Sequence, residues 1–452
     1  MHLPQAFIER TKALFGNELW EAYIQSFEEK KPVSIRLNPY KTINNSLLSW
    51  PLRGQVPWAS HAWYLSERPA FISDPLFHVG CYYVQEAASM FLEPFIKTYV
   101  PAPVICLDLC AAPGGKSTHL SSILPEGSLL VANEVIRSRA NILAENLIKW
   151  GNPASIVTNN DPERIGRLTH FFDLIVADVP CSGEGMFRKN PEAISEWSLE
   201  HVKLCSERQR RIIASIWNSL KPGGILIYST CTFNREENED NVEWIKNTYG
   251  ASSLAIPLKK EWNVQERVTC YRLIPGKTIG EGFFIAAVKK REEEVRFSHG
   301  MRSSGKKIPV NFNPYITAIR HWLTGADYDI ELENQTLLAI PSLHREAWQL
   351  LKDQLKIVHA GVTFKTIKGK DTVPEHSLAM SCCFNREAFP SIEVNIETAV
   401  AYLRKQAIQL PGTVPKGYVL LTYKNHPLGF VKNIGNRANN LYPQEWRIRS
   451  AI

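Results

Sequence analysis

Between residues 104 and 290, short apolar runs alternate with segments that have helical periodicity, and this alternation limits the possible folds more than any other feature. Two of the intervening segments, 137–150 and 198–220, are predicted helices, and the second is long and amphipathic. Strands that alternate with helices in this way predict an α/β domain with an open, mostly parallel sheet that is covered by helices on both faces. The predicted strands are 104–110, 129–134, 155–161, 171–181, 223–232 and 282–290.

The loop after the first predicted strand has the composition of a ligand-binding turn. In an open α/β sheet, ligands bind in the crevice beyond the carboxyl ends of the strands. Small residues and paired glycines let the backbone approach a ligand, and the following helix offers free N–H groups. The spacing matches neither the G-x-G-x-x-G fingerprint nor a Walker A motif. The loop consists of Cys110, Ala111, Ala112, Pro113, Gly114, Gly115 and Lys116.

One acidic residue ends each of the next three predicted strands, namely Glu134, Asp161 and Asp178. Glu134 follows the glycine loop by about 20 residues, the place where an acidic residue binds ribose hydroxyls in nucleotide-binding folds. Any one of these residues alone would more often be an ordinary surface acid. One acid per strand at the same sheet edge indicates a shared site.

Two cysteines follow neighbouring predicted strands, Cys181 after the fourth and Cys231 after the fifth. Adjacent strand ends would bring the two thiols together beside the presumed ligand. Either cysteine alone is more often a buried structural thiol. The pair in a polar crevice is instead typical of reactive cysteines, which need access to substrate and a lowered pKa. No Cys or His cluster has zinc-ligand spacing, so we expect no metal.

The motifs at these strand ends resemble those of the RNA (cytosine-5) methyltransferases, the family that includes the Nop/Sun proteins. They are CAAPGGK (110–116), DVPCSGEG (178–185) and STCTFNREENE (229–239). Upstream, SIRLNPYK (34–41) and YYVQEAASM (82–90) are similar to the family's N-terminal segments, and residues 426–449 resemble the end of its bacterial RsmF subgroup. Val179 and Arg235 depart from the family's usual residues, but neither replaces a reacting group.

The resemblance implies a class I, Rossmann-like domain that transfers a methyl group from S-adenosylmethionine to C5 of a cytosine in RNA. In this family a thiolate attacks C6 so that C5 becomes nucleophilic, which is covalent catalysis. By similarity, Cys231 is the nucleophile and Asp178 hydrogen-bonds the base near N3 and N4. Cys181 assists release, either by taking the C5 proton or by promoting elimination of Cys231.

The same resemblance assigns the cofactor contacts. The loop 110–116 would wrap the methionine and ribose parts of S-adenosylmethionine, and Glu134 would bind the ribose hydroxyls. Asp161 would contact the adenine amino group. Arg139 is a further candidate for a cofactor contact, and Asp178 would border the cofactor as well as the base.

Basic residues indicate where RNA would lie. Arg188 and Lys189 occupy the loop 183–197, where we expect them to contact phosphates beside a base that has left its stack; a solvated surface loop is the alternative. Residues 301–452 carry 19 Lys and Arg against 12 Asp and Glu, whereas the first 300 residues balance. A basic module that also bears aromatic residues is typical of nucleic-acid binding, although a solvated surface fits the charge alone equally well.

These patterns divide the chain into an N-terminal α+β extension that is mainly helical and serves as an RNA-binding or capping subdomain, the catalytic domain, a polar linker, an intermediate α+β segment and a PUA-like RNA-binding domain. The predicted ranges are 1–95, 96–291, 292–307, 308–370 and 371–452. The nine cysteines are odd in number and several lie in apolar runs, which favours a reducing cytoplasm over a disulfide framework. We expect a monomer with neither a signal peptide nor the roughly 18-residue apolar stretch of a membrane span.

The RsmF-like end of the chain implies that the substrate is 16S ribosomal RNA near the decoding region, either naked or within the 30S subunit. Two other functions stay open: a catalytically silent RNA-binding factor in ribosome assembly, and C5 methylation of tRNA. Intact cysteines and an intact glycine loop argue against the silent factor. Methylation of a base amino group usually requires an N/D-P-P-aromatic motif, whereas this chain has DVPC at 178–181.

Overall fold

The N-terminal region combines helices with a small antiparallel sheet. The computed structural model describes residues 2–41, 48, 50–292, 320–325, 327–333, 335–368 and 371–449. The elements of this region are α1 (Gln5–Phe15), α2 (Asn17–Gln25), β1 (Val33–Leu37), β2 (Leu52–Gln55), β3 (Ala62–Leu65), α3 (Pro75–His78), β4 (Tyr82–Val84) and α4 (Glu93–Tyr99). The sheet order is β2-β3-β1-β4. The predicted α+β character of this region is confirmed, although its strands are too short to be located individually from the alternation of apolar residues.

The central region is built on five parallel strands in the order β9-β8-β5-β6-β7, and β13 pairs with β9 in the antiparallel direction. The strands are β5 (Ile105–Asp108), β6 (Leu129–Asn133), β7 (Ser155–Thr158), β8 (Phe172–Asp178), β9 (Leu220–Thr230), β10 (Ser252–Leu254), β11 (Gln265–Arg267), β12 (Cys270–Leu273) and β13 (Phe283–Lys289). The helices are α5 (Gly115–Ile123), α6 (Arg137–Trp150), α7 (Pro162–Ile165), α8 (Glu192–Glu196), α9 (Leu199–Ile216) and α10 (Glu239–Tyr249).

Alternate residues of these strands face two separate buried layers. Cys106 and Leu174 belong to the layer that includes residues of α5 and α6. Leu107 and Ile175 belong to the layer on the opposite face, with α9 and α10. A parallel strand that is buried on both faces reads as a continuous apolar run, which is why the sequence revealed these strands. The predicted doubly wound α/β sheet is confirmed in its parallel core, and antiparallel strands at both edges make the whole sheet mixed.

The C-terminal third contains two further four-stranded sheets, with orders β14-β15-β17-β18 and β19-β20-β21-β22. Its strands are β14 (Tyr328–Glu333), β15 (Thr336–Pro341), β16 (Ile357–Ala360), β17 (Val362–Lys368), β18 (Asp371–Pro374), β19 (Ser391–Glu393), β20 (Gly417–Tyr423), β21 (His426–Asn433) and β22 (Ala438–Asn440). Its helices are α11 (Arg345–Gln354), α12 (His376–Met380) and α13 (Ile396–Leu403). Strand β16 pairs with β7 and completes the ten-stranded central sheet.

The structure corrects one predicted domain boundary. Residue 370 separates β17 from β18, yet these two strands are paired with each other, so the boundary cuts one sheet. The segment 308–370 is also not independent, because β16 extends the catalytic sheet. Residues 293–307 of the predicted linker lie outside the described residues. In the ranges that the structure describes, no helix is long and apolar enough to cross a membrane.

Candidate active site

The carboxyl ends of β5, β6 and β7 are joined by one buried amide. The Nδ2 of Asn133 donates to the carbonyl oxygens of Leu109, at 3.3 Å, and Asn160, at 2.9 Å. Its Oδ1 accepts from Thr158 Oγ1 at 2.8 Å and from the Asn160 backbone N–H at 3.0 Å. Sequence reasoning did not single out Asn133. The signal was a polar residue directly before Glu134 at a strand end.

The glycine loop lies between β5 and α5 and is held from the side by α6. Asn146 donates to the carbonyl oxygen of Pro113 at 2.8 Å, and Arg139 donates to that of Ala112 at 2.9 Å. Gly114 precedes α5 with a φ of +119°, and a Cβ there would lie 3.3 Å from Leu143 Cδ1. No side chain of the described residues caps α5, so its first N–H groups are open to a ligand.

Two of the three predicted acidic residues that follow the loop differ sharply in exposure. Glu134 is only 2% exposed, and its Oε1 accepts the Ile136 backbone N–H at 2.9 Å. Arg139 lies 3.5 Å from the other oxygen of Glu134, so it connects this carboxylate with the glycine loop. Asp161 is exposed and precedes α7. The third acid, Asp178, lies farther along the sheet edge.

A further acid that sequence reasoning missed lies beneath the loop. Asp108 is completely buried at the end of β5, and its Oδ2 accepts from Ser117 Oγ at 2.7 Å. Its Oδ1 has no hydrogen-bond partner within the described part of the chain, and burial raises the pKa of Asp108 to about 7. An unpartnered carboxylate oxygen, an uncapped helix start and the buried Glu134 together fit a ligand with amino and hydroxyl groups, as S-adenosylmethionine has.

Lys116 connects the glycine loop to the acid at the end of β8. Its Nζ donates to Asp178 Oδ2 at 2.9 Å, and Ser229 Oγ donates to Asp178 Oδ1 at 2.7 Å. Burial by itself would lower the pKa of Lys116, but the charge of Asp178 raises it above the usual value. Lys116 Nζ also lies 4.9 Å from the centre of the Phe283 ring. The lysine therefore stays charged and fixes Asp178 beside the loop.

The two predicted cysteines meet at this same edge. Their sulfur atoms are 2.9 Å apart, and the Cys231 backbone N–H donates to Cys181 Sγ at 3.2 Å. The sulfur–sulfur separation exceeds the roughly 2.05 Å of a disulfide, and both residues are free thiols. The hydrogen bond to Cys231, together with burial, raises the pKa of Cys181 well above its usual value. A protonated Cys181 can donate its hydrogen to the sulfur of Cys231.

Two carboxylates hold the cysteine-bearing loops against each other. Glu184 accepts the backbone N–H groups of Phe233 and Asn234, each at 2.8 Å, and the indole N–H of Trp197 at 3.0 Å. Glu237 accepts the Ser182 backbone N–H at 3.0 Å and the Asn234 side chain at 2.7 Å. Sequence reasoning assigned no role to either glutamate, although both fall inside the quoted motifs.

The expectation for Arg188 was wrong, because its side chain is not available to RNA phosphates. Arg188 is 4% exposed, its Nε donates to Glu281 Oε2 at 3.0 Å, and its Nη atoms donate to the carbonyl oxygens of Gly280 and Ser26. It ties the loop after β8 to the segment before β13. Lys189, by contrast, is exposed.

Three family models match successive parts of the chain. The model described as 16S rRNA methyltransferase RsmB/F matches residues 101–289. The N-terminal domain of 16S rRNA methyltransferase RsmF matches residues 3–87, and the methyltransferase RsmF PUA domain matches residues 389–448. A relative from Salmonella heidelberg (strain SL476), ribosomal RNA small subunit methyltransferase F, is 29% identical over 472 residues, which cover 98% of this chain and 96% of the relative.

Solved structures agree with this assignment. A methyltransferase homolog from Pyrococcus horikoshii is 26% identical and superposes with a TM-score of 0.52. The alignment covers 64% of this chain and 100% of the homolog. NSun6 from Pyrococcus horikoshii, solved with SFG, has a TM-score of 0.55 over 64% of this chain and 99% of its own; at 20% identity it supports the fold alone. The chain therefore belongs to the RsmB/F family of S-adenosylmethionine-dependent RNA cytosine-5 methyltransferases and carries the N-terminal and PUA domains of its RsmF members.

Proposed function

We propose that this protein methylates C5 of a cytosine in 16S ribosomal RNA near the decoding region, through a covalent bond between Cys231 and C6 of the base. The observation that carries the proposal is the cysteine pair, with its sulfur atoms 2.9 Å apart beside the glycine loop. The match to ribosomal RNA small subunit methyltransferase F over nearly the whole chain supports this substrate class.

The chemistry must overcome the low nucleophilicity of C5. In the proposed first step, the Cys231 thiolate forms a bond to C6, and the electrons of the C5–C6 double bond move onto C5 and the ring. Bound S-adenosylmethionine supplies the electrophilic methyl group that C5 then takes. Asp178, which Lys116 and Ser229 hold in place, would hydrogen-bond the base near N3 and N4 as charge develops on the ring.

Release reverses the covalent bond. The C5 proton leaves to a water molecule, the double bond re-forms, and the C6–S bond breaks to return the Cys231 thiolate. Cys181 would promote this elimination, since its pKa is raised and its thiol is therefore protonated at neutral pH, within 2.9 Å of the departing sulfur. Without that hydrogen-bond donor, we expect the adduct to persist.

The cofactor would occupy the sheet edge between the glycine loop and the ends of β6 and β7. The loop 110–116 would hold the methionine and ribose parts, and buried Glu134 would accept the ribose hydroxyls. Asp161 would contact the adenine amino group. Arg139 would act indirectly, because it already bonds the Ala112 carbonyl and lies beside Glu134.

Bisulfite sequencing of ribosomal RNA tests the substrate. RNA from cells that produce the protein should contain a protected cytosine in 16S rRNA that disappears in cells that lack it. Cells that produce only the Cys231→Ala variant should resemble the cells without the protein. Protection that appears in tRNA and not in 16S rRNA would contradict the proposal, as would an unchanged pattern in all three strains.

A further inference from the structure

A buried arginine of the N-terminal region reaches the first turns of the helix that follows the glycine loop. Arg36 lies on β1, is 1% exposed, and extends its side chain to α5. Its Nη2 donates to Thr118 Oγ1 at 2.6 Å and is 3.4 Å from the carbonyl oxygen of Gly115. Its Nη1 donates to Ser122 Oγ at 3.3 Å. One guanidinium therefore contacts three residues along one face of α5, two of them in its first turn.

The remaining contacts of Arg36 fix its own position. Its Nε donates to Gln85 Oε1 at 2.9 Å, directly after β4, and its guanidinium carbon lies 4.4 Å from the centre of the Trp150 ring at the end of α6. The planar guanidinium group of Arg36 thus contacts α5, the residue after β4 and the end of α6 at the same time. A lysine ammonium is a compact point charge and could not make all of these contacts.

Packing alone does not explain this residue. Within the residues that the structure describes, no carboxylate forms an ion pair with Arg36, and burial lowers its pKa to about 9, so it remains charged at neutral pH. A buried charge without a charged partner is energetically unfavourable, and an apolar side chain of similar length would avoid that penalty. The arginine instead offers hydrogen bonds along one face of α5, beginning in its first turn.

The first residue of α5 that Arg36 contacts, Gly115, belongs to the loop assigned to the cofactor. The loop is held at Ala112 and Pro113 by side chains of α6, while Arg36 holds it at the Gly115 end. The N-terminal region also packs against this end, since a Cβ on Gly115 would lie 3.5 Å from Tyr83 Cε1. The loop is therefore fixed between α6 on one side and the N-terminal sheet on the other.

We propose that Arg36 is a positioning residue for S-adenosylmethionine, which acts by holding the first turn of α5 and its free N–H groups in place before the cofactor binds. Preorganisation of this kind strengthens binding because less ordering accompanies it. The N-terminal region then helps to hold the cofactor site in place, and this role is separate from any contact that the region makes with RNA. The inference rests on the proposed place of the cofactor in the loop and does not depend on which RNA is methylated.

The test compares cofactor binding by Arg36→Met, Arg36→Lys and wild-type protein, using calorimetric titration with S-adenosylmethionine at a temperature where all three are folded. Arg36→Met should weaken the binding of S-adenosylmethionine by about ten-fold or more. Arg36→Lys should have an intermediate effect, because it keeps the positive charge but lacks the several N–H donors of the guanidinium group. Arg68→Met is the matched control, because Arg68 also belongs to the N-terminal region and its guanidinium carbon lies 5.6 Å from the centre of the Phe71 ring. It should bind the cofactor as wild type does.

A second pair of variants approaches the same contact from α5. Thr118→Val removes the acceptor at 2.6 Å, and Thr118→Ser keeps it. Thr118→Val should weaken cofactor binding while Thr118→Ser restores it, and combining Thr118→Val with Arg36→Met should add little to the loss. This pair decides the question if Arg36→Met does not fold.

RNA binding separates a positioning role from a general structural one. In fluorescence anisotropy without cofactor, Arg36→Met should bind RNA within two-fold of wild type, and in steady state its KM for S-adenosylmethionine should rise more than its kcat falls. Unchanged cofactor affinity in folded Arg36→Met, or equal loss of cofactor and RNA affinity, would overturn the proposal. Wild-type protein that binds the cofactor but methylates no RNA would contradict the proposed function instead, and the calorimetric comparison would still decide on Arg36.

Discussion

Glu134 is the single side chain on which the proposed cofactor placement depends most. It is 2% exposed, and one of its oxygens is already used by the Ile136 backbone N–H. Replacement by alanine would leave ribose hydroxyls without an acceptor, so we predict that Glu134→Ala weakens S-adenosylmethionine binding by about 1–3 kcal/mol. Asp161→Ala, at the exposed neighbouring position, should have a smaller effect. Equal cofactor affinity of wild type and Glu134→Ala in calorimetry would remove the assignment.

Substitutions of two adjacent basic residues should have different effects, one on the stability of the protein and the other on RNA binding. Arg188→Met would leave Glu281 buried without its partner, which should destabilise the protein by about 3–5 kcal/mol. Lys189→Ala should leave stability unchanged and weaken RNA binding modestly, because its side chain is exposed. Denaturant unfolding and fluorescence anisotropy measure the two effects. Normal stability of Arg188→Met would contradict the structural role.

The sequence predicted which of the proposed reacting groups would lie together better than it predicted the groups that hold them. Cys181, Cys231 and Asp178 follow parallel strands, and the ends of neighbouring parallel strands lie at one sheet edge. Arg188 was misassigned because its partner, Glu281, is distant in the chain and only the fold brings them together. The sequence does not distinguish a buried acid such as Asp108 from an exposed one. The unpartnered carboxylate oxygen of Asp108 could therefore not be predicted.

At the level of elements, the loops after β8 and β9 must keep a fixed register for the two sulfur atoms to meet. Glu184 spans these loops with three accepted hydrogen bonds. In Glu184→Gln, one oxygen becomes an NH₂ group that faces a donor, so we predict a loss of about 1–3 kcal/mol of stability and a lower kcat. Thermal unfolding and single-turnover methylation test this, with Glu192→Gln on exposed α8 as the control. An unchanged kcat would show that the relative position of the two cysteine-bearing loops does not depend on Glu184.

The elements that the sequence missed share one property, which is that distant partners define them. Strand β16 is four residues long and is a strand because it pairs with β7. The N-terminal strands have three to five residues and, among the described residues, pair with one another. Strands β5 to β8, which are buried on both faces, needed no such information, because continuous apolar runs of strand length are visible without knowledge of the partner.

At the scale of the whole molecule, the two ends of the chain share one core. Ile35 and Tyr82 of the N-terminal sheet pack in the same buried cluster as Phe430 and Val431 of the C-terminal sheet. Trp348 of α11 belongs to the buried layer of the catalytic sheet. Removal of everything beyond residue 290 would therefore expose the catalytic core, so the role of the C-terminal charge is better tested by substitution than by truncation.

Exposed basic residues of the C-terminal sheet provide that test. Lys416 and Arg437 lie on the exposed loops that flank β20 and β22. If both contact phosphates, the double alanine variant should weaken RNA binding and reduce the slope of log K against log salt by about one per lost contact. Cofactor affinity should not change. Lys31→Ala, at an exposed position of the N-terminal region, is the control. An identical salt slope for the variant and wild type would identify these charges as solvated surface.

The covalent adduct with RNA tests the central claim most directly. Labelled substrate RNA is incubated with S-adenosylmethionine and wild type, Cys231→Ala or Cys181→Ala, all confirmed as folded, and then run on a denaturing gel. Cys231→Ala should give neither adduct nor methylated product. Cys181→Ala should accumulate a protein–RNA band, because attack on C6 stays possible while release is impaired. A band that Cys231→Ala retains and Cys181→Ala loses would reverse the two roles and contradict the account.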